Sequence, residues 1–315
     1  MRAYLIYTPQ EGEKNRQFIQ MFQEEGKRRG ISFSYVPLGE YQKREPVDVV
    51  LNRTRLPEVS QWFEERGCTV LHDSTIVEVA NNKWKTLVYL LQVLEWGDIA
   101  GGLRDQWLPD TLHLPAEGRV EGFADDRQYP CIVWKNGREV LGQETLSAFL
   151  ARHPFCVIKS VSGHGGRQVE RAVSREEIAD FAGRFPREDV MLQKEIACDS
   201  RDVRMYILGN EIYQGVLRQG CHDFRSNFSL GGEVQAYAPT AEQRALLQRV
   251  LQGFGNYRLG MAGMDFLLGE DGRFYFNELE EMAGCRMLYQ ATDRHIVRDY
   301  VEWIVNLIGQ SQSYQ

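Results

Sequence analysis

The chain has 315 residues, 43% hydrophobic and 26% charged, the balance of an ordinary globular protein and too long for one simple core. A formal net charge of −7 argues against nucleic acid as the main partner, since phosphate backbones demand clustered Lys and Arg. No apolar run reaches bilayer length, so no membrane partner is expected. The six cysteines (Cys68, Cys131, Cys156, Cys198, Cys221, Cys285) include no close pair, which fits neither a zinc pattern nor a disulfide framework and points to a reducing cytoplasm.

In chain order, MRAYLIYTPQ opens as a strand and is too short and too soon interrupted for a signal peptide. EKNRQFIQMFQEEGKRR carries apolar residues at helical spacing, and Gly30 ends it. ISFSYV, VDVVLN and CTVLH read as further strands, with LPEVSQWFEER as a helix before the last. This βαβαβ rhythm implies a parallel sheet covered by helices. Ligands of such sheets sit at the carboxyl ends of the strands. Asn52, Arg53 and Arg55, just after the third strand, are therefore candidates to face a substrate, the alternative being loop arginines in solvent.

A helical region around NNKWKTLVYLLQVL follows. In 114–152, Asn136-Gly137 between apolar runs signals a hairpin, PAEGRVEGFADDRQ reads as a loop, and the segment has no assignable role. PFCVIKSVSGHGGRQVERAV reads as strand, glycine-rich loop, strand. SREEIADFAGRF is a helix with the capping-box pair Ser174 and Glu177. VMLQKEI, DVRMYILG and EIYQGVLRQ are strands, the last two turned at Asn210. TAEQRALLQRVLQGF is a helix capped by Thr240, and ATDRHIVRDYVEWIVNLIG closes the chain as an amphipathic helix.

The chemistry concentrates in three places. In MDFLLGEDGRFYFNELEE, Glu270-Asp271-Gly272 joins two antiparallel strands. Residues two apart on a strand share a face, so Glu278 and Glu280 lie together and the hairpin can bring Asp265 beside them. Three gathered carboxylates ask for a cation, and oxygen ligands suit Mg²⁺ (or Mn²⁺); a polar outer face on an ordinary hairpin is the alternative. In SVSGHGG, Gly163, Gly165 and Gly166 follow Lys159; such a loop can bring backbone N–H groups to phosphate oxygens, with the lysine adding charge. It is not a Walker loop, and a flexible surface turn is equally compatible, with His164 as a loop tip. LRQGCHDFRSNFSLGG offers Arg218, Arg225 and Asn227, suited to phosphate oxygens or to solvent.

The ordered pieces NNKWKT, VIKSVSGHGG, LQKEI, RDVRMYILG, DFRSNFSLGG, GMDFLL and FNELEE resemble the ATP-grasp ligases, most closely the ribosomal-protein-modifying glutamate ligase (RimK-like) group, over about Asn82 to Leu288. The resemblance implies an ATP-grasp fold, α/β with α+β character in the C-terminal part, behind an N-terminal parallel-sheet lobe. The implied division is an N-terminal lobe 1–81, a central lobe 82–190 with the glycine-rich lid, a C-terminal lobe 191–310 with the metal site, and a tail 311–315. It implies that Lys83 and Lys159 contact ATP phosphates, that the SGHGG loop folds over them, and that Lys194 and Glu195 form the adenine hinge, followed by Asp202. Arg225, Ser226 and Asn227 would lie on the phosphate side with Arg218 nearby, and Asp265 and Glu278 would be magnesium carboxylates.

Two departures stand out. The family's third metal ligand is usually an asparagine two residues after the glutamate, and here it is Glu280; its small-residue loop is replaced by EMAGCRMLY, where Arg286 could grip a carboxylate. The activity implied is ATP-dependent activation of a carboxylate as an acyl phosphate, followed by amine attack, releasing ADP and phosphate. The partners implied are ATP, Mg²⁺, and small carboxylate and amine substrates or a peptide or protein tail; a homo-oligomer is allowed. An ATP-grasp kinase acting on an alcohol and a nucleotide-binding regulatory module are the alternatives.

Overall fold

The computed structural model describes residues 1–96, 106–117, 123, 127–220, 232–255, 257 and 259–312. The first part runs β1 (Arg2–Tyr7), α1 (Pro9–Lys14), α2 (Arg16–Arg28), β2 (Ser32–Pro37), β3 (Val49–Asn52), α3 (Pro57–Glu64) and β4 (Thr69–Leu71). Its four strands are parallel in the order β2-β1-β3-β4, as the βαβ rhythm requires. Gly30, with φ 74, ends α2 in the left-handed region that a side chain would disfavour.

The expected single helical region after Ser74 is two helices, α4 (Ser74–Ala80) and α5 (Lys83–Trp96). Asp73 caps α4, and Asn81 closes it, its Nδ2 returning to the Val77 carbonyl. The break sets Lys83 at the start of a new helix, where its N–H donates to the Val161 carbonyl at 2.8 Å.

The segment without an assigned role builds one edge of a second sheet. β5 (Thr111–Leu114), β6 (Gln128–Lys135), β7 (Arg138–Thr145), α6 (Leu146–Arg152), β8 (Cys156–Ser160), β9 (Val169–Ala172), α7 (Arg175–Arg184) and β10 (Val190–Lys194) form a central antiparallel sheet ordered β7-β6-β5-β10-β8-β9. Asn136 (φ 54) and Gly137 (φ 77) are both left-handed, the conformation a two-residue hairpin demands. α7 has the full capping box between Ser174 and Glu177. β10 pairs with β5 and β8, so the strand just past the 82–190 boundary lies inside this sheet.

The third sheet is antiparallel, β13-β12-β11-β14-β15, from β11 (Arg201–Leu208), β12 (Glu211–Gln219), β13 (Glu233–Tyr237), β14 (Met261–Leu268) and β15 (Phe274–Glu280). α8 (Ala241–Gly253) precedes β14; α9 (Arg286–Ala291) and α10 (Ile296–Gln312) close the chain. β13 and α9 are additions to the elements read from sequence.

One face of the third sheet packs its Val203, Met205, Met264, Phe266 and Phe276 against α5 and α8. Tyr206, Val216 and Met261 join the core that α2, α10 and β1 share, so the third sheet is fixed to the first. α6 and α7 close a separate core on the central sheet. No helix among the described residues is long and apolar enough to cross a membrane.

Candidate active site

The central and third sheets face each other across a cavity of about 560 Å³. Strand alternation aims Val157 and Lys159 of β8 into it together. Its lining includes the apolar side chains of Val157, Val169, Ile196 and Leu267, with Lys194 and Glu195. Lys83, Lys159, Gly163, Gly165, Gly166 and Glu278 form its cationic, glycine-lined end, where Lys83 meets Gly163 and Glu278. Apolar walls combined with such an end match a base joined to a chain of phosphates.

At the cationic end, Lys159 is 5% exposed and donates to Asn277 Oδ1 at 3.0 Å. Burial, with the nearby Lys83 charge, lowers its pKa to about 7, against an opposing pull from Glu278. Lys83 arrives from a different element, the start of α5. Its ammonium donates to the Gly163 carbonyl and stands 3.3 Å from Glu278 Oε2. Gly165 (φ 68) and Gly166 (φ 69) give the loop its left-handed turn, and a Cβ on Gly163 would come within 2.8 Å of Gln168 Oε1.

β15 carries a register shift: Phe266 pairs with Phe276 but Asp265 pairs with Glu278, leaving Asn277 as an extra residue. Such a bulge re-aims side chains. Asn277 and Glu278, consecutive residues that regular alternation would put on opposite faces, both line the cavity.

The expected trio of carboxylates is not gathered about one point, and among the described residues no three metal-ligating side chains stand close enough to hold an ion. Arg204 of β11 is the reason. Its guanidinium is bidentate to Asp265, with Nε to Oδ1 and Nη2 to Oδ2 each at 2.7 Å, and Nη2 also donates to Glu280 Oε2 at 2.9 Å. Arg218 reaches Asp265 Oδ2 at 2.8 Å and clasps Asp202 with two bonds. Burial alone would raise the Asp265 pKa; the two guanidiniums overcome it and hold the carboxyl well below the usual range. Burial likewise opposes, and Arg204 wins, at Glu280, whose pKa is lowered.

The first sheet meets this end with the loop after β3. Arg53 Nη2 donates to the carbonyls of Met282 (3.0 Å) and Ala283 (3.3 Å), bonding the loop to the segment after β15. Tyr7 Oη, Arg53 Nε and both ring nitrogens of His72 are buried without a hydrogen-bond partner, all at the carboxyl ends of parallel strands. Burial and the Arg53 charge push His72 down to about 3, so it is neutral. Buried orphan groups of this kind ask for water or a ligand.

Of the residues singled out from sequence, Lys83, Lys159, Gly163, Gly165, Gly166, Lys194, Glu195, Asp202 and Glu278 come together around one cavity. Arg218 and Asp265 lie behind it as a buried charge cluster, and Glu280 sits between Arg204 and Arg55. Arg286 is exposed at the start of α9. Arg225, Ser226 and Asn227 lie outside the described residues. Sequence reasoning missed Arg204 and Asn277. A charged residue at the centre of the apolar strand DVRMYIL was the available signal for the first; nothing local marks the bulge.

The RimK-like ATP-grasp domain matches residues 135–304, more than half of the chain. The chain belongs to the RimK-like ATP-grasp family. The alpha-aminoadipate–LysW ligase LysX of Sulfurisphaera tokodaii is 23% identical to it, over 82% of each chain. Among solved structures, the D-alanine–D-alanine ligase of Bacillus anthracis complexed with ATP superposes with a TM-score of 0.68 at 13% identity, covering 99% of both chains. The ATP-grasp ligase PsnB complexed with minimal precursor, Mg and ADP gives 0.63 at 15% identity over 97% of both. The ATP-grasp architecture thus extends across the whole RimK-like chain, first sheet included.

Proposed function

We propose that the cavity binds Mg·ATP and that the opening toward the first sheet receives the two substrates to be joined. The chain is an ATP-dependent carboxylate–amine ligase, as its family is. The observation that carries the assignment of residues is the lining of the cavity, apolar walls combined with two lysines from separate elements. In this reading the base lies between Val157, Val169, Ile196 and Leu267, next to the Lys194–Glu195 hinge, and Lys83 and Lys159 take phosphate oxygens. Asp202 keeps Arg218 in place rather than meeting the base itself.

Glu278 is an oxygen donor facing the cavity and could hold a hard cation there together with phosphate oxygens, while its cross-strand neighbour Asp265 is engaged by Arg204 and Arg218. Mg²⁺ held there would neutralise charge on the transferring phosphoryl group. Arg204 and Arg218 keep Asp265 ionised and oriented. The chain's own part is positioning and charge: the lysines hold the terminal phosphate in line with a substrate carboxylate oxygen, and the glycine loop covers it against water. The carboxylate oxygen bonds to phosphorus as the bond to ADP breaks. An amine then attacks the acyl carbon, the C–O bond to phosphate breaks, and the surplus protons leave to phosphate and solvent.

The substrates proposed are a small carboxylic acid and an amine, or a peptide or protein tail in either role, in the cytoplasm. The test is ADP release from Mg·ATP with pooled carboxylic acids and hydroxylamine, scored also for hydroxamate. Stimulated ADP with hydroxamate supports ligation. A stable phosphoester in its place would turn the assignment to a kinase.

A further inference from the structure

The glycine loop leaves the central sheet at Ser160, the last residue of β8, and returns at Val169, the first of β9. Its neck is narrow. Ser160 N–H donates to the Gln168 carbonyl at 3.2 Å, and Gly163 N–H donates back to the Ser160 carbonyl at 3.3 Å. A Cβ on Gly163 would stand 3.3 Å from Ser160 Cβ and 3.0 Å from Gln168 Cβ, so both arms of the loop press on that glycine. The Gly163 carbonyl in turn accepts from the Lys83 ammonium. The shape of the neck therefore helps to set where the loop tip and this lysine lie.

One side chain outside the cavity lining holds the neck. Glu188 stands in the connection between α7 and β10. Its Oε2 accepts from Ser160 Oγ and, at 3.0 Å, from Ser162 Oγ. The Ser160 bond, joined by those from Ser162 and from Gln168 on the returning arm, keeps the carboxyl below its usual range against partial burial. Ser160 is itself fully buried, and Ser162 N–H reaches its Oγ at 3.3 Å. The base of this arrangement is fixed through the next residue. Asp189 Oδ1 accepts from Ala116 N–H at 2.8 Å, its Oδ2 stands 3.0 Å from His113 Nε2, and its carbonyl accepts from Val161 N–H at 3.1 Å. A glutamate that only closed its own turn would bind one arm of the loop; this one binds both.

We propose that Glu188 is a positioning residue for the ligase, stapling the two arms of the glycine loop so that the loop tip and Lys83 are held at the cationic end of the cavity. It touches neither nucleotide nor substrate and acts through Ser160, Ser162 and Gln168. A stapled loop loses little freedom when nucleotide binds, and it keeps water from the reacting phosphoryl group. The role rests on the ligase reading above.

The test is limited trypsin cleavage of the intact chain. Arg167 lies exposed in the glycine loop, and Arg273, exposed in the turn between β14 and β15, is an internal reference. Glu188→Ala should speed cleavage after Arg167 about tenfold, the worth of one charge-assisted bond, with cleavage after Arg273 unchanged. Calorimetric titration should show Mg·ADP bound about tenfold more weakly by the same variant. Glu188→Gln, which keeps an oxygen to accept from both serine hydroxyls, should restore most of both. With pooled carboxylic acids and hydroxylamine, Glu188→Ala should release more ADP per hydroxamate, because water reaches the acyl phosphate. Ser162→Ala, an exposed substitution that removes one bond of the staple, serves where Glu188→Ala does not fold, with the same loop-specific change at a smaller size. Equal acceleration after Arg167 and Arg273 would make Glu188 a residue of general stability and overturn the proposal. So would parent-like cleavage after Arg167 together with parent-like Mg·ADP binding. Failure of Mg·ADP to bind the unsubstituted chain would instead remove the ligase reading on which the role rests.

Discussion

Lys159 should cost the empty protein stability in exchange for nucleotide binding. Lys159 is 5% exposed, its ammonium donates to Asn277, and its pKa falls from 10.5 to about 7. The sign follows from linkage. Above the unfolded pKa both states are neutral and there is no penalty; as pH falls toward about 7 the unfolded chain binds a proton the folded one refuses; below that the penalty is constant. At pH 7.5 the difference is about 4 kcal/mol at most, taking about 1.4 kcal/mol per unit. Losing the bond to Asn277 offsets about 1 kcal/mol of the gain from replacing the lysine. Lys159→Met should therefore stabilise the nucleotide-free chain by up to about 3 kcal/mol near neutral pH, with the gain fading toward pH 10. Urea denaturation across that pH range measures it. The same variant should bind Mg·ADP about 10–100-fold more weakly, having lost a charge-assisted bond to phosphate. A variant less stable than the parent at every pH would refute the argument that Lys159 is an unsatisfied buried charge.

Arg204→Met removes two of the three bonds that Asp265 receives from the arginines and should destabilise the fold by about 3 kcal/mol in urea; adding Asp265→Asn should recover part of the loss. Because Asp265 has a lowered pKa, its ion-pair contribution is present at neutral pH and disappears as pH falls below about 4, so the gap between parent and Arg204→Met should narrow there. Glu278→Gln should abolish Mg²⁺-dependent turnover with the thermal midpoint retained; turnover at the parent's rate would remove its metal role. Arg286→Ala should raise the KM of the carboxylate substrate more than that of ATP, whereas equal effects would make Arg286 structural.

The parts of this molecule that were legible in the sequence are those set by local chemistry. The first sheet followed from strands and helices in alternation, the hairpin from Asn136-Gly137, and two helix starts from capping boxes at Ser174 and Thr240, each of which forms. Many residues that line the cavity were legible within an ordered set of short motifs. What was not legible depends on contacts between distant strands. The bulge at Asn277 exists only in the pairing of β15 with β14, and it changes which side chains face the cavity. Arg204 sits 61 residues from Asp265, and only the register of β11 against β14 makes them partners. That pairing explains why three carboxylates expected to converge on a cation are instead divided between the cavity and a buried arginine. Residues 114–152 were opaque for a similar reason: β6 and β7 gain their meaning only through β5, the neighbour of β10.

The most direct test of the central claim follows the oxygen. Carboxylic acids labelled with heavy oxygen are supplied with Mg·ATP and a pool of amines, and the released phosphate is examined by mass spectrometry. Activation through an acyl phosphate transfers one labelled oxygen from the acid to each phosphate released. ADP formed with amide product but unlabelled phosphate would contradict it.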